Sequence, residues 1–396
     1  MKKSIGLEDA IALCSHWACP AGQEEVNLNA AFRRVSAQDL CAQLSVPDFD
    51  RSAVDGYAIC QDDLAYTDEP RAFKVIGERS AGHCHPISIS RGETLRVMTG
   101  ALLPAGTAAV IKQEEVRPSG SLIYPVIQPR PGENIQQRGS DIPLGMNLLK
   151  AGEILEAEGI ERIACCGVER LRVYRHPRIY IINTGNELVL PGMPLQPGQI
   201  YHSNRSLLAA KVASAGGTPV LAETGVRDEI AVIASAIEKG VSSADMVIIS
   251  GGTGSGTGDL VQDSWRELGA DILFKGIDIV PGKGSAAAAY RQKLICNLAG
   301  HPGAVSLLFE VLINPIFALL RGESHSREWF EIILDSTVHK ISDRRSLRRA
   351  EMIFAGPGES RARPLSAFSN FCHHRLILDL KPGQGKAGEI VKALMI

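Results

Sequence analysis

From His176 onward, short apolar runs alternate with amphipathic stretches. Ile179–Asn183, Pro219–Ala222, Met246–Ile249 and residues 293–298 are aliphatic runs of strand length, as expected for strands buried on both faces. Between them, Leu207, Leu208 and Val212 recur at helical spacing behind Ser203, and Ile230, Ile233, Ala234 and Ile237 behind Asp228. Ser203 and Asp228 are therefore expected as helix N-caps. A third helix follows Asp259 through Leu260, Val261, Trp265 and Leu268. A long one opens at His301-Pro302-Gly303, with Pro302 at its first position. With a further strand near 271–279, the alternation predicts a parallel sheet with helices on both faces. Ligands of such sheets bind at the carboxyl ends of the strands.

The N-terminal half is patterned differently. Residues 7–18 and 24–41 read as helices, the second presenting Leu28, Ala31, Phe32 and Val35 on one face, before the chain turns extended toward Asp48. Between 71 and 128, short runs alternate with turns: 73–76, 87–89, 94–98, 108–111 and 122–124. They predict a small all-β domain. A Pro129-Arg-Pro-Gly hinge precedes a helix from about Ala157 to Cys165, and the chain is β-like after Glu323. The expected domains are 1–46 with 140–176 as an elongated helical linker domain, 47–139 as the β domain, 177–322 as the α/β domain, and 323–396 as a C-terminal β domain.

Composition narrows the classes. A chain of 396 residues exceeds one ordinary core. A net charge of -2 gives no footprint for bulk nucleic-acid binding. No window approaches the roughly 18 uninterrupted apolar residues of a membrane span. The start turns acidic before an apolar signal region forms. Nine cysteines without paired CxxC spacing suit a reducing, cytoplasmic setting. Cys165-Cys166 is expected as two small buried residues, and His83 with His85 lacks the partners of a metal pair. The C-terminal arginines Arg344, Arg345, Arg348, Arg349, Arg361 and Arg363 are expected on a solvated sheet face.

Chemistry concentrates at the predicted strand ends. Met246–Ile249 runs into the glycine-rich loop Ser250-Gly-Gly-Thr-Gly-Ser-Gly-Thr-Gly-Asp259. Strand, glycine loop and capped helix together offer backbone N–H groups to an anion. The loop is neither a Walker loop nor a GxGxxG turn. Asn183-Thr-Gly-Asn-Glu187, Asp228, Lys283 and Ala299-Gly-His-Pro-Gly303 stand at the other strand ends. Carboxylates beside anion nests point to Mg²⁺ shared with a phosphate. Asp228 and Asp259 are equally explained as caps, whereas Glu187 has no capping duty. In the β domain, Asp55, Thr99 with Gly100, Glu114-Glu115 and Asp141 occupy turns, and Asp55 and Asp141 also read as turn formers.

Six segments add a resemblance. Pro47-Asp-Phe-Asp-Arg-Ser-Ala-Val-Asp-Gly-Tyr-Ala58, Arg96–Gly100, Ile135–Ile142, Asn183–Leu188, Gly198–Asn204 and Ser250-Gly-Gly occur in the order found in the MoeA family. These are the molybdopterin molybdenumtransferases, whose eukaryotic counterpart is the gephyrin E domain. The resemblance runs from about residue 5 to the end. It implies a multidomain α/β protein with a central MogA/MoaB-like parallel βαβ domain, a small β domain, an elongated linker domain and a C-terminal β-barrel-like domain. The implied reaction inserts molybdenum from molybdate into adenylylated molybdopterin, with Mg²⁺ assisting and AMP released. The implied partners are a second copy in a homodimer with an inter-subunit cleft, a MogA-like adenylyltransferase and a recipient molybdoenzyme. No nucleic acid or membrane is among them.

Carried over residue by residue, the catalytic set is Asp55, Thr99, Asp141, Glu187, Asp228 and Asp259, with Mg²⁺ on Glu187, Asp228 and Asp259. The cofactor-binding set is Thr184, Gly185, Ser250, Gly251, Gly252, Thr253, Lys283, Pro302 and Gly303. The family's SGGVSxGxxDY is altered at Thr253–Leu260, its KPGKP at Val280 and Gly284, and its LPGNP at Ala299 and His301. The aspartate of its DSN-like motif is His202. The acids are untouched, and the changes fall on the pterin and oxyanion side. Two alternatives follow. One is a molybdopterin-binding carrier or scaffold without turnover or with altered specificity. The other is an anion-binding relative of competence-damage-type proteins. The choice of molybdenum or tungsten stays open.

Overall fold

The computed structural model describes residues 4–64, 71–223, 226–252, 259–324, 327–340, 342–356, 359–365 and 375–396. The chain forms two compact units. One comprises Met1–Gln38, Ala151–Glu156 and Arg170–Ile396, and the other Asp39–Lys150 and Ala157–Glu169.

The second unit is built on a six-stranded sheet ordered Thr107–Lys112, Gly56–Cys60, Glu93–Val97, Phe73–Arg79, Leu122–Pro125, Val116–Ser119. Leu95, Val97, Ala58 and Val110 cluster in one core, and Ile59, Phe73, Ile111 and Ile123 in another. This is the alternation a two-sided sheet requires. Of the expected runs, Ile87–Ile89 forms no strand, contributing only a bridge from Ser88 to Ala105. The helix Ala157–Cys165 forms as expected. Cys166 is buried, but Cys165 is exposed, against the expectation for the pair. The eight described cysteines are all free.

The expected helix over 24–41 is absent. Gln23–Asn27 is a strand antiparallel to Arg170–Tyr174, followed by one 3₁₀ turn, Leu28–Ala30, capped by Asn27. Arg33 then adopts a left-handed φ of 58°, which ends any helix, and its N–H bonds Leu155 O. Leu28, Ala31 and Val35 are buried while Phe32 is 52% exposed. The apolar spacing therefore marks a turn followed by extended chain.

The α/β domain forms the centre of the first unit. Its elements are β1 (Arg178–Asn183), α1 (Ser203–Ser214), β2 (Thr218–Leu221), α2 (Ile230–Ser243), β3 (Met246–Ser250), α3 (Leu260–Glu267), β4 (Asp271–Phe274), β5 (Ala286–Tyr290), β6 (Lys293–Leu298) and α4 (Pro302–Leu320). The sheet order is β2-β1-β3-β6-β5-β4. Strands β2, β1, β3 and β6 are mutually parallel, as the apolar runs require. Ile179, Ile181, Met246 and Ile248 bury one face with Leu208 and Val305. Tyr180, Ile182, Val247 and Ile249 bury the other with Ile237 and Trp265.

The sheet is mixed, which corrects the all-parallel expectation. β5 runs antiparallel to β6 and β4. The cause is local: Arg291 and Gln292, both at left-handed φ (47° and 62°), make a two-residue hairpin turn of the primed type. β4 stops at Phe274, short of the expected 279. Two expected caps also shift. His202 and Glu229 occupy the N-cap positions of α1 and α2, displacing Ser203 and Asp228, and neither makes a side-chain cap bond.

Helix α4 contains a π turn, Phe309–Ile313. By length and composition it could span a membrane, yet Glu310 interrupts its apolar run and 72% of its apolar window is buried within the protein. The C-terminal strands Trp329–Leu334, Glu359–Pro364, Ser346–Gly356, Arg375–Leu380 and Ile390–Met395 close into a barrel in that order. Arg345 is not a solvated surface charge there. It binds Asp379 at 2.7 Å and, on the N-terminal helix Leu7–Ser15, Glu8 at 2.6 Å.

Candidate active site

The parallel register aligns Asn183, Ser250 and Leu298 at the carboxyl ends of β1, β3 and β6. A cavity of about 180 Å³ opens there, lined by Asn183, Thr184, Glu187, His202, Asn204, Ser250, Gly251, Gly300 and Pro302 among others. The glycines after β3 leave no room for a side chain. A Cβ on Gly251, at φ 112°, would stand 2.3 Å from Thr184 O, and one on Gly252 would stand 2.6 Å from Val261.

Asn204 fastens the floor by donating its amide nitrogen to Ser250 Oγ (2.8 Å) and Gly300 O (2.6 Å). Both amide atoms of Asn183, Thr184 Oγ1, His202 Nδ1 and Asn204 Oδ1 are buried without a hydrogen-bond partner among the described residues. Buried polar groups are ordinarily satisfied, so such a cluster marks a place for a ligand.

Of the three acids expected in this unit, Glu187 lines the cavity and Asp228 and Asp259 do not. Glu187 is exposed, and its carboxylate lies over Gly185, where a Cβ would be 2.8 Å from Oε1. Asp228 is tied to the same loop by its N–H to Asn186 Oδ1 (3.2 Å), and its own Oδ1 is buried and unpartnered. Asp259 caps α3, accepting Gln262 N at 3.1 Å and the Gln262 amide at 2.6 Å. Burial pushes its carboxyl above the ordinary value, and the Gln262 bonds only partly oppose this. Among the described residues, no three His, Cys, Asp or Glu side chains converge as a metal cage. Glu187 and Asp228 suit a cation that draws its other ligands from substrate and water, as Mg²⁺ does.

Pro302 and Gly303 open α4 behind His301, whose Nδ1 accepts Gly303 N–H at 3.2 Å. Pro302 faces the first cavity. His301 and Gly303 line a second one, of about 760 Å³, with His339, Lys340, Arg348 and Arg349 from the barrel. A helix N-terminus among basic side chains favours an anion. Lys283 is exposed and lines neither cavity. Thr253, with the rest of the glycine loop to 258, lies outside the described residues.

In the other unit, Asp55 accepts Thr99 N–H at 2.7 Å and the Thr99 hydroxyl at 2.8 Å. These bonds, the backbone one first, hold its carboxyl below the ordinary value. Asp141 accepts both contacts from the Gln136 amide at 2.9 Å, and Gln136 in turn accepts Arg51 Nε at 2.8 Å. Ser52 joins the two groups, giving its N–H to Ala101 O and accepting Gly100 N–H, while Ala53 N–H goes to Asn134 O. Asp55, Thr99 and Asp141 thus share one hydrogen-bonded loop system.

Sequence reasoning missed Asn183, Asn186, Asn204 and His202 as site residues. All four lay within motifs already singled out, Asn183–Leu188 and Gly198–Asn204, but an asparagine carries no signal of its own until its partners are seen.

Unpartnered polar groups at the ends of the parallel strands of this α/β sheet, beside a basic helix N-terminus, define a protein that binds an anionic small molecule. Comparison with known proteins gives the particular kind. Residues 5–167 match the MoeA N-terminal region (domain I and II), and residues 180–318 match a probable molybdopterin binding domain. A molybdopterin molybdenumtransferase of Nostoc sp. is 34% identical over 76% of this chain and 70% of its own length. One of Haemophilus influenzae is 31% identical over 94% and 93%. The molybdopterin biosynthesis MoeA protein of Pyrococcus horikoshii has a structure that superposes with a TM-score of 0.85, at 29% identity over 99% of both chains. The chain belongs to the MoeA family of molybdopterin molybdenumtransferases, transferases of molybdenum cofactor biosynthesis.

Proposed function

We propose that this chain inserts molybdenum from molybdate into adenylylated molybdopterin, in a Mg²⁺-dependent reaction that releases AMP. The observation that carries the reading is the set of unpartnered buried polar atoms on Asn183, Thr184, Asn204 and His202 around the strand-end cavity. In this reading Thr184, Ser250, Gly251 and Pro302 bound the pterin pocket, and Gly185 and Gly252 give it room. Gly303 and the basic cavity with Lys340 and Arg348 receive the oxyanion. Glu187 and Asp228 would hold Mg²⁺, and Asp259 completes the acid set. The ion, when bound, offsets phosphate charge as the AMP leaving group departs. Asp55, Thr99 and Asp141 serve the same reaction, with the Thr99 bonds keeping Asp55 ionised and oriented. The homodimer belongs to the same proposal, and sedimentation of the purified chain tests it.

The direct test is AMP release from adenylylated molybdopterin with Mg²⁺, with and without molybdate. Wild type is expected to release AMP in a molybdate-dependent way. Glu187→Ala is expected to lose on the order of 10²-fold or more in rate, the usual cost of removing one electrostatic catalytic group. Tight binding without release in either form would sink the transferase reading and leave a carrier.

A further inference from the structure

His202 is used by neither the fold nor the acid set. It is 5% exposed, lines the strand-end cavity, and buries an Nδ1 that has no partner. It occupies the N-cap of α1, where a side chain ordinarily closes the first helical turn, yet it makes no cap hydrogen bond. Only its backbone is fixed, by N–H donation to Val189 O. Among the described residues, nothing returns the desolvation of that nitrogen.

The chemistry of the position narrows what returns it. A neutral imidazole accepts a hydrogen bond at the ring nitrogen that carries no hydrogen. Burial pushes the His202 pKa down, Arg205 pushes it the same way, and the Glu187 carboxylate opposes them. Asn204 in the same cavity commits its amide nitrogen to Ser250 and Gly300, so it too turns an acceptor, Oδ1, toward the space.

We propose that His202 is a specificity residue of this pocket, its Nδ1 accepting a hydrogen bond from a ring or exocyclic N–H of the bound heterocycle. The inference rests on the reading that the pocket takes molybdopterin. With Asn204 Oδ1 it gives this part of the pocket two neutral acceptors suited to an N–H-bearing edge, while the unpartnered amide nitrogen of Asn183 in the same cavity is placed to donate to a carbonyl. An uncharged acceptor at His202 adds no negative charge near Glu187.

The test titrates full-length protein with molybdopterin, following pterin fluorescence, for wild type, His202→Ala and His202→Asn, with Tm recorded for each. His202→Ala is expected to weaken binding about tenfold, and His202→Asn, which keeps an oxygen acceptor, to recover most of it. In histidine-labelled protein, the ¹⁵N resonance of His202 Nδ1 is expected to remain in the unprotonated range and to move when ligand binds. Wild-type affinity in His202→Ala, or a protonated Nδ1 in the complex, overturns the proposal alone. Failure of wild type to bind molybdopterin overturns the pocket reading and this inference together.

Discussion

At the scale of single residues, the site relies on hydrogen bonds that fix charge before any substrate arrives. Asp55 is the clearest case, since two bonds from one residue, Thr99, both favour its ionised form. Thr99→Val removes the hydroxyl and keeps the backbone N–H. The Asp55 pKa is then expected to rise toward the ordinary value without reaching it, read by ¹³C NMR titration of the carboxyl. The sign for stability follows. A carboxyl lowered on folding adds stability above its ordinary value and loses it as pH falls through the folded value. The valine variant should therefore show a smaller acid-dependent loss than wild type at this group. An unchanged Asp55 titration would mean that the hydroxyl contributes nothing beyond the backbone bond.

Among the elements, the strand-to-loop transition after β3 decides the pocket. Gly251 sits at φ 112° with no room for a Cβ against Thr184 O. Gly251→Ala is expected to cost roughly 1–3 kcal/mol in chemical denaturation, and to weaken pterin binding by displacing Thr184. Unaltered stability and binding would show that the loop adapts freely.

The parallel strands were legible because strands buried on both faces must be apolar without interruption, as Ile179–Ile182 and Met246–Ile249 are. The antiparallel β5 was not, because its direction is set by the backbone of Arg291 and Gln292, two residues with no glycine or asparagine to announce a turn. The stretch 24–41 misled for a related reason. Leu28, Ala31 and Val35 are buried from a turn and an extended chain at intervals that imitate a helix. For the acids, the motifs identified the residues but not their surroundings. Asp228 read as a cap, yet Glu229 takes that place and Asp228 keeps an unpartnered oxygen.

For the molecule as a whole, helix α4 links the site to stability. Its N-terminus borders both cavities, and its π turn places Glu310 between Lys211 of α1 and Arg327, which leads into the barrel. Burial pushes the Glu310 carboxyl up, and Lys211 and Arg327 more than offset this, leaving it below the ordinary value. From this π turn Glu310 makes two ion pairs, which tie three elements together. Glu310→Gln leaves two cations without their partner and is expected to cost about 2 kcal/mol at neutral pH, a partly exposed version of breaking a buried pair. The lowered pKa sets the pH window: the stabilisation is complete above the ordinary glutamate value and disappears as pH falls through the folded value. Urea denaturation should thus separate wild type from Glu310→Gln at neutral pH and bring the two together in acid. Curves that stay equally far apart in acid would assign the loss to side-chain packing in the π turn, and the ionised carboxylate would no longer account for it.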